Sequence, residues 1–212
     1  MRVKICGLTR ADDLRHAAGA GADYVGLVFY PRSPRNVSVE QAAELLKVVP
    51  KGVTPVALLV DADDALVDQV AALGVGMLQL HGSESPERVA AIRKRTGLPV
   101  MKVISIGGRE DLAKISDYNA VADQLLLDAR APEGATRPGG NAVAFDWRLI
   151  AGRDWACPWI LAGGLTPENI AEAVRLTGAT QVDVSSGVEY APGKKDPARV
   201  AAFVKAAREA AA

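Results

Sequence analysis

The sequence predicts an α/β protein folded as a single-domain (β/α)8, or TIM, barrel over residues 1–212. Eight short apolar runs recur along the chain, each followed by a stretch with helical patterning rich in Ala, Glu and Arg. Most of these runs are near-continuous rather than alternating, as expected of parallel strands buried on both faces. No Pro- or Gly-rich linker and no low-complexity segment divides the 212 residues, which sit at the short end for this fold. A doubly wound open sheet ranks second, because it ordinarily uses fewer strands.

The expected strands are Val3–Cys6, Tyr24–Phe29, Pro55–Val60, Met77–Leu80, Val100–Ile104, Gln124–Leu127, Trp159–Ala162 and Gln181–Val184. Helix starts lie between them. Thr9 with Asp12, and Ser38 with Gln41, have capping-box spacing, the first with Asp in place of Glu or Gln. Asp61, Ser85-Pro86, Thr166-Pro167 and Asp196-Pro197 each set a capping side chain at or near a helix start, and in the last three Pro takes the first helical position. Gly21, Gly74, Gly97 and Gly178 mark helix ends as left-handed caps. The last helix runs from Pro197 to about Arg208, with Val200, Phe203, Val204 and Ala207 on one face. Phe145-Asp146-Trp147 is expected to pack a helix after the sixth strand. The long irregular stretch from Ala129 to Ala144, rich in Gly and Pro, fits a lid over a site better than a domain boundary.

Composition excludes several functional classes. Twenty-five basic and 25 acidic residues leave no net charge, so nothing draws the chain to nucleic acid or an anionic membrane. An anionic ligand must be held by a local site. Two cysteines, Cys6 and Cys157, make no disulfide framework, and two histidines are too few for a His-rich metal centre. No apolar run reaches membrane-spanning length, and the N-terminus lacks the apolar stretch of a signal peptide. These features lead us to expect a soluble cytoplasmic protein, with neither metal nor cofactor.

In such a barrel the polar residues that follow the strands carry the chemistry. Cys6 ends the first strand. A free cysteine is ordinarily a small buried hydrophobe, but one just ahead of a helix N-terminus can have a lowered pKa and serve as base or nucleophile. Asp128 follows three leucines and precedes the long loop. An Asp there commonly caps a turn, yet partial desolvation would raise its pKa and suit it to general-acid work. Coming from nearly opposite strands, Cys6 and Asp128 could flank a small substrate.

Gly163-Gly164 after the seventh strand and Ser185-Ser186-Gly187 after the eighth have the order of a barrel phosphate site. Glycines alone would say little, since turns need them. Tyr30 to Asn36 places two arginines among prolines, either a basic surface loop or a guanidinium held to grip a carboxylate. Gln79 and His81 share a direction as polar wall residues, His81 equally serving as a turn stabiliser. Lys102, a charge within a strand, must be paired if it points inward.

Together these segments resemble one family. Lys4-Ile5-Cys6-Gly7, Gly21-Ala22-Asp23, Ser33-Pro34-Arg35, Gln79-Leu80-His81-Gly82, Leu126-Leu127-Asp128, Phe145-Asp146-Trp147, Leu161-Ala162-Gly163-Gly164-Leu165 and Asp183-Val184-Ser185-Ser186-Gly187-Val188-Glu189 match the phosphoribosylanthranilate isomerases of tryptophan biosynthesis, with the match running to Lys195-Asp196. The resemblance implies an Amadori rearrangement of N-(5-phosphoribosyl)anthranilate, with Asp128 as general acid and Cys6 as general base. It implies that Arg35 holds the anthranilate carboxylate and Asp183 a ribose hydroxyl, with Gln79 and His81 also on the substrate. Gly163, Gly164, Ser185, Ser186 and Gly187 would hold the phosphate. The partner is then a phosphorylated small molecule, and the chain a monomer or homodimer. One departure is Gly139-Gly140-Asn141-Ala142, where the family usually has glycine last, so the loop after the sixth strand is expected to close differently. Related phosphosugar barrels, such as the aminoaldose isomerases of histidine biosynthesis or pentose-phosphate epimerases, would carry Asp or metal ligands where Cys6 stands. A barrel that only binds a phosphorylated metabolite would need neither acid nor base.

Overall fold

A computed structural model of the chain describes residues 1–135, 138–140 and 144–210. Eight parallel strands close a barrel in chain order: β1 (Arg2–Cys6), β2 (Tyr24–Phe29), β3 (Thr54–Leu59), β4 (Met77–Leu80), β5 (Val100–Ile106), β6 (Gln124–Ala129), β7 (Trp159–Leu161) and β8 (Gln181–Val184). β8 returns to β1 with Lys4 opposite Asp183 and Ile5 opposite Val184. The helices around it are α1 (Ala11–Gly19), α2 (Val39–Leu46), α3 (Asp64–Ala71), α4 (Pro86–Thr96), α5 (Ile115–Tyr118), α6 (Ile170–Thr177) and α7 (Pro197–Glu209). A two-stranded hairpin, β9 (Glu189–Ala191) and β10 (Lys194–Lys195), lies between β8 and α7.

Strand alternation divides the side chains between two cores. Val3, Ile5, Leu78, Leu80, Leu125 and Leu127 point outward into the layer shared with the helices. Met101, Val103, Leu126, Ile160 and Ala162 point inward and fill the barrel's middle. At the amino end of the strands Tyr24 Oη and Gln124 Nε2 both donate to Gln181 Oε1, at 3.4 and 3.0 Å, closing the floor with a satisfied polar layer. The interior is therefore plugged below, and the cleft opens at the strands' carboxyl ends.

Several caps form as their sequences dictate. Ser38 and Gln41 make a reciprocal capping box, and Ser85 and Asp196 cap α4 and α7 with Pro in the first position. Gly97 and Gly178 are left-handed C-caps, and Gly21 and Gly74 take positive φ just beyond their helices. Other expectations fail for tertiary reasons. The Thr9 hydroxyl is drawn away to Gly193 O at 2.9 Å on the hairpin, so α1 starts after an uncapped Arg10. Asp61 lies outside the helix and receives the Ser83 N–H at 2.7 Å, leaving Asp63 to cap α3. Thr166-Pro167 opens only a turn, and α6 starts at Ile170 behind Asn169. After β6 the described residues form a single 3-10 turn, Trp147–Leu149, in place of the expected helix, with Phe145 packed into the outer core.

Candidate active site

Every site residue expected from the sequence lines one cleft of about 790 Å³, solvent at its mouth included, at the carboxyl end of the barrel. Cys6 and Asp128 enter it from β1 and β6, and Gln79 from β4 with His81 just beyond. Arg35 comes from the loop after β2, Asp183 from β8, and Gly163, Gly164, Ser185, Ser186 and Gly187 from the two last loops. Pro138, Gly139 and Gly140 of the long loop also face it, whereas Asn141 and Ala142, the departure from the family pattern, lie outside the described residues.

Cys6 is 4% exposed. Its Sγ sits over Gly26 of β2, where an added Cβ would stand 2.8 Å from the sulfur. Burial pushes the thiol pKa up, and the Lys4 and Lys195 ammonium groups only partly offset this, with the Asp183 carboxylate adding to the rise. This corrects the expectation of a lowered value. The helix meant to supply a favourable dipole begins only at Ala11, and the thiol has sunk into the barrel instead.

Asp128 belongs to β6 itself rather than to the loop after it. Alternation turns it inward with Leu126, 8% exposed, while Ala129 N donates to its Oδ1 at 2.9 Å. Its Oδ2 lies 3.4 Å from His81 Nε2. That contact is an ion-pair approach rather than a hydrogen bond, and the buried His81 Nε2 and Gln79 Oε1 both have no hydrogen-bond partner among the described residues. Buried polar atoms without partners, on the wall of a cleft, are groups that await a ligand.

Arg35 is set by a turn in which Ser33 N donates to Tyr30 O and Arg35 N to Ser33 Oγ, at 2.8 and 3.1 Å. Its side chain crosses Gly7, which sits at φ +77°, and a Cβ on Gly7 would overlap the Arg35 side chain. The fork already grips a carboxylate, but one from the chain itself: Nε and Nη2 donate to Glu189 at 2.8 and 2.7 Å. Nη1 lies against Gly140 of the long loop. Glu189 in turn accepts from Lys195 Nζ at 2.8 Å, and Lys195 also donates to Ser185 O at 3.0 Å. Burial opposes the Glu189 carboxylate, but these two cations hold its pKa below the usual range. Burial likewise lowers Lys195 despite Glu189.

Gly163 and Gly164 both take positive φ, and a Cβ on Gly163 would strike Ala129 N at 2.6 Å. They stand six and more residues ahead of α6, so the anticipated helix N-terminus behind them is missing. What remains is bare backbone: among the described residues neither Gly163 N–H nor Gly164 N–H donates to a protein acceptor. Across from them Ser185, Ser186 and Gly187 open a short 3-10 turn. Two loops thus offer N–H and hydroxyl donors to one place, the chemistry of an anion site.

Sequence reasoning missed Lys4, Glu189 and Lys195 as parts of the site. All three stand in the quoted motifs, but a charged residue signals its burial only through partners that the chain supplies from far away. Lys102 is paired, yet outside the barrel: β5 turns it toward Glu84 Oε2, 2.7 Å away, beneath the loop that carries His81.

Comparison with known proteins agrees with this arrangement. The sequence model of the family described as "PRAI: N-(5'phosphoribosyl)anthranilate (PRA) isomerase" matches residues 3–206. The N-(5'-phosphoribosyl)anthranilate isomerase of Cereibacter sphaeroides is 59% identical over 209 residues, covering 98% of this chain and 99% of that protein. A solved phosphoribosyl anthranilate isomerase in complex with reduced 1-(o-carboxyphenylamino)-1-deoxyribulose 5-phosphate superposes with a TM-score of 0.86 at 34% identity, covering 99% of both chains. The Thermotoga maritima enzyme gives 0.88 at 36%, again over 99% of both. The closed eight-stranded barrel, the cleft at its carboxyl end and these matches over nearly the whole length agree: the chain belongs to the phosphoribosylanthranilate isomerase family.

Proposed function

We propose that this protein isomerises N-(5-phosphoribosyl)anthranilate to 1-(2-carboxyphenylamino)-1-deoxyribulose 5-phosphate, a step of tryptophan biosynthesis, by general acid–base catalysis in the barrel cleft. The observation that carries this reading is that Cys6 and Asp128 face one cleft from strands on different sides of the barrel, between an unsatisfied N–H rim and a guanidinium. The solved relative that holds a reduced product-like phosphate supports the same substrate class.

Asp128 protonates the furanose ring oxygen, and the C1–O bond breaks to leave an iminium between C1 and the anthranilate nitrogen. The iminium acidifies C2–H, and Cys6 takes that proton as thiolate. The electron pair moves into a C1–C2 double bond and neutralises the nitrogen, and the enolamine then tautomerises to the 2-ketone. Atoms balance without oxidant or hydride, so acid, base and two anion holders suffice.

Phosphate takes the Gly163–Gly164 and Ser185–Gly187 rim, which leaves the carboxylate end to Arg35. Because Glu189 occupies Nε and Nη2, the anthranilate carboxylate meets the Nη1 edge of the guanidinium. Asp183 and the unpartnered Gln79 and His81 atoms take the sugar hydroxyls.

The test is turnover of freshly generated substrate, followed by loss of anthranilate-type fluorescence. Cys6→Ser and Asp128→Asn should each lower kcat by about 10²-fold or more. Decay no faster than the spontaneous background in the parent enzyme would remove this reading. Turnover of the histidine-pathway aminoaldose in its place would put that isomerisation first.

A further inference from the structure

A lysine ammonium in a barrel interior is costly unless something there uses its charge. Lys4 is fully buried, does not line the cleft, and has no part in the roles assigned above. Its Nζ donates to Asp183 Oδ1 at 2.9 Å, from the position directly opposite in β8. Two residues further along the same inward face of β1 stands Cys6, close enough for ammonium and thiol to interact. Burial works against the charged lysine, yet Asp183 and Cys6 together raise its pKa, so Lys4 stays an ammonium.

We propose that Lys4 is a positioning residue for the isomerisation: its ammonium, clamped under the thiol by Asp183, is the fixed charge against which the Cys6 thiolate forms. The inference rests on Cys6 being the base. Deprotonating a thiol deep in a barrel places a negative charge in a medium that solvates it badly. A cation already held in place lowers that cost with no reorganisation during the reaction.

The other charges around Cys6 cannot do this as directly. Asp183 from β8 opposes the thiolate, and its effect is contained only while Lys4 neutralises it. Lys195 from β10, bound to Glu189 at 2.8 Å, offsets less of the thiol's rise than Lys4 does, and burial lowers its own pKa. Across the cleft, Asp128 of β6 is of the wrong sign, and Arg35 is paired with Glu189. His81 makes its closest charged contact with Asp128 instead, at 3.4 Å.

The experiment compares the parent enzyme with Lys4→Met, each in a Cys157→Ala background so that Cys6 is the only thiol. Two profiles are read against pH: the rate of Cys6 alkylation by iodoacetamide without substrate, and kcat and KM separately. Loss of Lys4 should move the alkylation midpoint up by about one pH unit or more, equivalent to a tenfold or larger loss of thiolate. The loss in kcat at pH 7.5 should be about tenfold or larger and should recover in part at alkaline pH, with KM nearly unchanged. If Lys4→Met does not fold, Lys4→Gln, whose amide still donates to Asp183 without the charge, must show the same shift. An alkylation profile that superposes on the parent's, with kcat lowered equally at every pH, would overturn the proposal and leave Lys4 a packing residue. Alkylation is read without turnover, so failure here is distinct from failure of Cys6→Ser to lose activity, which would remove the base assignment itself.

Discussion

Cys6 is held by what it lacks above it as much as by what surrounds it. Gly26 leaves just the space that the sulfur fills, and an alanine there would put Cβ 2.8 Å from Sγ and 3.0 Å from the Cys6 Cα. With Cys6 as the proposed base, Gly26→Ala should therefore displace its sulfur by part of an ångström and lower kcat by about 10²-fold, with KM changed far less; steady-state kinetics of the variant checks this. The raised thiol pKa sets a second expectation. The base proposed here works as thiolate, and burial puts the Cys6 pKa above the ordinary 9.0. The rate of the chemical step should then climb with pH through neutrality and on past 9. A profile already flat from pH 6 upward would contradict it. That Cys6 and Asp128 reach the carboxyl end of the barrel was legible in the sequence, because strand ends and alternation are local properties. It misjudged the direction of the thiol's shift, because desolvation depends on how deep the residue sits.

Among the elements, the β9–β10 hairpin does what no strand-end pattern announced. It brings Glu189 behind Arg35 and Lys195 behind Ser185, bracing two residues of the cleft wall from behind. Glu189→Gln keeps the shape but cannot receive the two charge-assisted bonds from Arg35, so KM should rise by about tenfold, the equivalent of roughly 1.4 kcal/mol. An unchanged KM would show that Arg35 is positioned by its own turn. The loop after β4 has a comparable brace on the outer side. Glu84 accepts from Asp61 N and Gly82 N at 2.9 and 3.0 Å, and Lys102 supplies the counter-charge at 2.7 Å. Lys102→Met strands a buried carboxylate, and urea unfolding should report a loss of about 3–5 kcal/mol.

For the whole molecule, paired carboxylates make stability depend on acid pH. Burial opposes ionisation of Asp111, but N–H groups of Gly107 and Gly108 together with Arg130 and Lys114 bring its pKa down to about 2. Asp123 and Glu189 are also lowered against burial, by Arg93 and by Arg35 with Lys195. A folded pKa below the unfolded one gives stability that is complete above the unfolded value and lost as pH falls through the folded one. Tm should hold steady down to about pH 5 and then fall between there and about pH 2. In Asp111→Asn the lowest part of that decline should flatten, which calorimetry across the range would show. By itself the sequence determined the eight strands in order, the caps at Ser38, Ser85 and Asp196, and the set of side chains that meets at the carboxyl end. Those follow from apolar periodicity, capping chemistry and strand direction, all read within a few residues. Only the tertiary structure decided that α1 would lose its Thr9 cap to the hairpin, and that a 3-10 turn would follow β6. It alone decided that Arg35 would grip Glu189, 154 positions away, and that Lys4 would find Asp183, 179 positions away. Buried charge selects its partners through space, and closing the barrel puts the two ends of the chain side by side.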